Sequence, residues 1–216
     1  MATAREPLTR LRIVELALAI IDAEGLDALN MRRLAAAAGV KPMSLYHHFP
    51  NKEAILLAVA ETISAAALGD AAAAAPLPGW QAQVRQLFVG LYELVQAHPR
   101  ALPLIGTGVL RTPSGRRWME ELMRALLEAG FSPDAAAELY RSLGAFTLGL
   151  GYAQLLSLEV SAETIIGELT GHWAEYPNLL RVGLQLAVWD QPDTYAAGLD
   201  VLLTHFAGRL EQAGAR

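Results

Sequence analysis

Cysteine is absent from the 216 residues, which excludes disulfides, thiolate zinc sites and cysteine nucleophiles. The same absence is compatible with the reducing cytoplasm, where we expect the protein to work. Charge is sparse, with 18% charged residues and a formal net charge of −5, a balance that disfavours indiscriminate attraction to nucleic acid. Long apolar runs are missing too. The most apolar stretch, Leu143 to Leu158, is interrupted by Gly144, Thr147, Gly149, Gly151, Gln154 and Ser157. It falls short of the roughly 20 apolar residues of a membrane-spanning helix. The opening MATAREPLTRLR lacks the apolar core of a secretory signal. No segment alternates for long enough to suggest a strand, and no internal repeat is evident. The Gly-x-Gly pairs at 106/108 and 149/151 do not continue into a dinucleotide fingerprint.

What the chain has in quantity is helix-forming apolar residues. At 53% hydrophobic it carries much apolar surface to bury, so an oligomer is expected, and the helical spacing of its apolar residues points to an all-α fold. The charge is also unevenly distributed. Arg5, Arg10, Arg12, Arg32, Arg33, Lys41 and Lys52 outnumber Glu6, Glu15, Asp22, Glu24 and Asp27 in residues 1–52, whereas the remainder is acidic. Only one end of the molecule is therefore suited to a polyanion.

Helical periodicity and stop signals divide the chain. Ile13, Leu16, Ala17, Ile20 and Ile21 make a first helix that Gly25 ends, and Asn30 caps a short second one over Met31 to Ala38, closed by Gly39. Pro42 starts a third through Ser44, Leu45, Tyr46 and His47, and Pro50 breaks it. Asn51 caps a fourth with Ile55, Leu56, Val59, Ile63 and Leu68 on its buried side. Residues 1–52 are thus expected to form one domain, 51–68 a connecting helix, and 69–216 a second domain. In the latter, helices are expected over Trp80 to Ala97, Ser114 to Ala129, Pro133 to about Leu158, and Asp193 to Gln212, with one more in the piece between the last two, which includes Trp173, Tyr176, Pro177 and Leu179 to Val188. The stretch Leu102 to Gly115, with its prolines and glycines, reads as irregular.

Two short helices about a glycine turn have the spacing of a helix-turn-helix, whose second member lies in the major groove of DNA. Lys41, Ser44, Tyr46, His47 and His48 place a dense set of donors on that helix. The bland reading is a core of Leu45, Phe49 and part of Tyr46 with a solvated polar face. His47 and His48 cannot share a metal ion, because neighbours on a helix point about 100 degrees apart. No metal and no cofactor are expected, and no nucleophile motif suggests an enzyme.

The run Arg12 to Lys52, with Gly-Leu-Asp-Ala-Leu-Asn-Met-Arg-Arg-Leu-Ala and Ser-Leu-Tyr-His-His-Phe-Pro-Asn-Lys, closely resembles the N-terminal domain of the TetR family. Gly130 to Pro133, Phe146 to Gly149 and Pro177 to Arg181 are similar to parts of the C-terminal domain of the tetracycline repressors. The resemblance implies a homodimer that reads a palindromic double-stranded operator, released by a small molecule held in the body. It places Arg32 at a base edge and Pro42, Met43, Ser44 and His48 on the recognition face, and Arg33 beside Arg32 is counted among the DNA-binding residues. Tyr46 and Lys52 match phosphate contacts, and the role of His47 stays open among base, phosphate and packing.

The same resemblance puts the repressors' metal-drug ligands at Leu104 and Ala153, which cannot bind a hard cation. The other drug-facing positions fall near Leu68, Leu87 and Leu122, with Leu91 nearby and Leu180 and Leu184 offered by the partner subunit. Thr107 alone keeps a hydroxyl, and Trp118 and Tyr140 join the expected lining. A largely apolar effector follows, since an unpartnered buried polar group costs about 1 to 3 kcal/mol. The rival expectation is a constitutive DNA-binding dimer in which these leucines are only core.

Overall fold

The computed structural model describes residues 7–68, 77–108, 110–158, 167, 175–179, 181–182 and 191–214. Among them there is no strand. Packing divides the chain into two compact units, Met1–Ala129 and Gly130–Arg216.

The first unit begins with α1 (Arg10–Glu24), a 3-10 turn (Leu26–Ala28), α2 (Met31–Ala38), α3 (Pro42–Tyr46) and α4 (Lys52–Leu68). Local chemistry sets each boundary. Thr9 Oγ1 accepts from Arg12 N at 3.1 Å, Asn30 Oδ1 from Arg33 N at 2.9 Å, and Asn51 Oδ1 from Ala54 N at 2.8 Å. These side chains satisfy amides that have no partner inside the helix. Gly39 ends α2 in the left-handed conformation, φ 65° and ψ 30°, and its N–H and that of Val40 close the last turn. Ile13, Ala17, Ile21, Leu34, Leu45, Phe49, Ile55 and Val59 form the fully buried interior beneath α2 and α3.

The unit continues through α5 (Trp80–Ala97), a 3-10 turn (Pro99–Ala101), α6 (Leu102–Gly108) and α7 (Pro113–Glu128). The short α6 corrects the irregular reading of Leu102 to Gly115. Pro103 stands in the first turn, where a missing N–H costs no helical bond, and Pro113 opens α7 behind the Thr112 cap. Both prolines start helices here rather than break them. Phe88 of α5 meets Trp118 of α7 edge-on at 5.3 Å, and Leu122 and Leu126 continue the same buried stripe. The α4 helix packs against α1, α5, α6 and α7, which explains why it is apolar on more than one side.

The second unit contains α8 (Pro133–Ser157) and the final helix, here α9 (Gln191–Gly214). Ala136, Leu139, Leu143, Thr147 and Leu150 make a buried seam at three- and four-residue spacings, answered by Tyr195, Leu199, Leu203 and Phe206. The pairs Glu138–Arg209 and Thr147–Tyr195 show that the two helices run antiparallel. Phe146 stacks on Tyr195 with centroids 5.6 Å apart. Gly198 makes this stacking possible: a Cβ there would stand 2.2 Å from Phe146 Cζ. In the piece between Leu158 and α9, where one more helix is expected, residues 167, 177–179, 181 and 182 are helical, 175 and 176 are not, and the rest lie outside the described residues.

Candidate nucleic-acid interface

The α3 helix is presented as a rigid ridge. Its buried Leu45 anchors it to the interior, while Lys41, Pro42, Met43, Tyr46 and His47 are exposed, Met43 at 68%. Ser44 and His48 are half-buried. Arg32 is exposed near the start of α2. Among the described residues, Arg32, Lys41, Tyr46 and His47 have no side-chain hydrogen bond or ion pair. A set of unspent donors on a fixed ridge beside a left-handed turn has the chemistry to read base edges and phosphates.

Two of the expected contacts are employed within the protein. The Arg33 guanidinium pairs with Glu24, holding α2 to the end of α1. Lys52 Nζ donates to the Leu26 carbonyl at 3.3 Å, so the start of α4 is tied to the turn after α1. Arg10 escaped the sequence reading: it lies 4.0 Å over the Phe49 ring and donates to the His48 carbonyl, bracing the far end of α3.

Behind this ridge, one polar link joins the three-helix head to the helices that follow, and a second joins α4 to them. Asp22 of α1 meets His98 Nδ1 at 2.9 Å, and its carbonyl accepts from Arg100 at 3.0 Å, just after α5. Glu61 of α4 accepts from Ser114 N at 3.1 Å and Ser114 Oγ at 2.6 Å, completing the cap of α7. A carboxylate at a helix N-terminus also meets the positive end of its dipole. Glu61 was legible in principle, as an acid inside an otherwise apolar helix; Asp22 and His98 lie 76 residues apart and gave no such signal.

The expected effector lining is distributed over different places. Leu91 and Trp118 border an interior space with Ile63, Leu94 and Ile105, of about 20 Å³, room for about one water. Leu87 and Leu122 are buried, and Trp118 Nε1 donates to the Leu87 carbonyl at 3.2 Å. Leu104 and Thr107 instead line a groove between α4 and α6. Tyr140 and Ala153 are half-buried on α8. The Leu68 side chain, Leu180 and Leu184 lie outside the described residues. Among the described residues no His, Asp or Glu cluster could hold a metal ion, and no helix is long and apolar enough to cross a membrane.

Comparison with known proteins gives a consistent result. Residues 13–59 match the profile of bacterial regulatory proteins of the tetR family, and residues 74–205 that of the tetracyclin repressor-like C-terminal domain. The chain is similar to the HTH-type transcriptional repressor DrrR1 of Streptomyces coeruleorubidus, 28% identical over 81% of this chain and 64% of that one. It is similar to the tetracycline repressor protein class E of Escherichia coli, 31% identical over 63% of this chain and 64% of that one. The matches thus span a little under two thirds of the length of these relatives. In structure it resembles ActR of Streptomyces coelicolor in complex with actinorhodin, with a TM-score of 0.71 and 28% identity over 95% of this chain and 99% of that one.

Proposed function

Because the chain belongs to the TetR family of bacterial regulatory proteins, we propose that it is a transcriptional repressor that grips a palindromic operator as a homodimer and releases it when a small molecule binds. The observation that carries this reading is the exposed, unpartnered face of Lys41, Tyr46 and His47 on a helix fixed from below by Leu45. In it, Arg32, Pro42, Met43, Ser44 and His48 reach base edges, with Arg33 beside them, and Tyr46 and Lys52 reach phosphates. Residues 1–52 serve as the DNA-binding domain, 51–68 as connector, and 69–216 as the effector and dimerisation domain, in the cytoplasm and without catalysis.

The dimer reading rests on apolar residues left uncovered on α8 and α9. Tyr152 is 56% exposed, Leu156 47% and Val201 69%. Gly149 has nothing within 4 Å of an added Cβ, which leaves room for close approach of a second copy. Pairing of α8 and α9 with their symmetry mates would make a four-helix bundle.

For the effector, we assign the space beside Leu91 and Trp118 to a largely apolar ligand, which would have to widen it. The structural neighbour ActR is found with actinorhodin. A second reading, a constitutive DNA-binding dimer, is favoured by the small size of that space. Selecting bound sequences from a random DNA pool tests the repressor reading: an enriched palindrome is expected, and no enrichment overturns it. A thermal-shift screen of apolar compounds, followed by operator release, separates the two readings.

A further inference from the structure

We propose that the groove between α4 and α6 is a second small-molecule site, for an amphipathic carboxylate whose anionic end reaches Lys52 and Arg111 and whose hydrocarbon lies on Leu56, Leu57 and Leu104. The space is the first argument. The groove has a free volume of about 380 Å³, against about 20 Å³ in the space beside Leu91 and Trp118. Small-molecule sites generally run from about 300 to 1,000 Å³. Leu57, 38% exposed, faces solvent from the wall of this groove.

The charge arrangement selects the ligand class. Lys52 and Arg111 border the groove with a single carboxylate, Glu53. Among the described residues no carboxylate lies within 4.0 Å of Lys52; its ammonium donates only to the neutral Leu26 carbonyl. Arg111 uses one nitrogen on Glu53, at 2.6 Å, and that pair is open to water, with side chains 55% and 73% exposed. Such a pair is weak and readily exchanged. An ammonium has three donors and a guanidinium five, so both cations retain donors for an incoming carboxylate. An uncharged apolar ligand would leave these donors facing hydrocarbon, and a small inorganic anion would leave the leucines wet. A chain bearing both chemistries satisfies both ends of the groove.

Occupancy has a consequence that rests on the regulator reading above. Lys52 is the residue assigned to an operator phosphate, so a carboxylate here competes with DNA for it. At the end of the groove α4 and α6 are in close contact, since a Cβ on Gly108 would stand 3.3 Å from Ala60 Cβ. A ligand seated on Leu57 and Leu104 therefore bears on both helices.

Titration calorimetry of the intact protein with decanoate tests the site without DNA. We expect saturable binding, weakened about tenfold by Arg111→Ala and for decanamide in place of decanoate, because a charge-assisted bond is lost in each. Leu57→Asp should abolish binding, while Leu91→Phe, which fills the interior space, should not change it. Leu57 and Arg111 are exposed, and circular dichroism verifies that their variants fold. Absence of saturable binding below the micelle concentration overturns the proposal. So does binding indifferent to Leu57→Asp, or binding lost in Leu91→Phe. In the DNA arm, decanoate should weaken operator binding. Decanoate binding that leaves operator affinity unchanged overturns the competition for Lys52. A protein that enriches no DNA sequence yet binds decanoate overturns the regulator reading and supports the site.

Discussion

The three-helix head and the α8–α9 pair are both helical, yet they are held together in opposite ways. In the head, short helices are bounded by residues a few positions away: Thr9, Asn30 and Asn51 cap, and Gly39 turns. In the α8–α9 pair, long helices are locked by residues far apart in the chain, with Phe146 stacked on Tyr195 and fitted against Gly198. Local chemistry is tolerant of single changes on the surface, whereas a packed contact without slack is not. The head can therefore vary its exposed ridge while keeping its frame, and the pair cannot vary its seam in the same way.

The largest effect should come from the head's interior rather than its ridge. Phe49→Ala removes a fully buried ring and should cost about 3 to 5 kcal/mol in denaturant unfolding, because the cavity collapses only partly. A loss under about 1 kcal/mol would show that the caps alone maintain the head. Next, Gly198→Ala forces a methyl into Phe146 and should destabilise the protein by about 1 to 3 kcal/mol. Adding Phe146→Leu should recover part of that loss, and additive losses would mean that the glycine matters for another reason.

Binding effects should be comparable but separable. Arg32→Ala is expected to weaken operator binding by about 1 to 3 kcal/mol and relax preference at one base pair per half-site. Lys52→Gln should weaken binding to all sequences and lower the salt slope by about one per contact. Since Lys52 also holds the Leu26 carbonyl, it alone of the two should lower the unfolding midpoint measurably. Equal sequence dependence for both would remove the distinction between reading and positioning.

The smallest effect is electrostatic. The Arg209 guanidinium, hydrogen-bonded to Glu138, holds that carboxyl below its ordinary value of 4.5. Its folded form therefore binds its proton less readily than the unfolded form. The stabilisation is fully present above that value and is lost as pH falls through the depressed one. The midpoint difference between the protein and Glu138→Gln should shrink as pH is lowered through the range at and below about 4.5, and a constant difference would exclude the linkage.

The contrast also explains what could be read beforehand. The all-α class, the caps of α2 and α4, and the span of α5 follow from residues close in sequence. The TetR resemblance assigned the exposed ridge residue by residue. The short α6 was missed because Pro103 and the nearby glycines look like breakers unless their position within the first turn is known. The internal duties of Arg33, Lys52 and Arg10 depend on partners across space, as does the separation of Leu104 from Leu91.

The Glu61 cap has a practical meaning for building hybrid regulators. A head of residues 1–52 joined to another body would leave α4 with its host, where Glu61 and Ser114 stay matched, and would keep Lys52 with Leu26, but it would separate Asp22 from His98 unless the host supplied an equivalent. A junction after α4 leaves Asp22 and His98 parted and separates Glu61 from the Ser114 amide and hydroxyl as well. No cut between residues 52 and 114 leaves every one of these bonds intact. Interchangeable reading heads for this protein must therefore be made by rewriting the surface of α2 and α3 in place, leaving the chain beneath them whole.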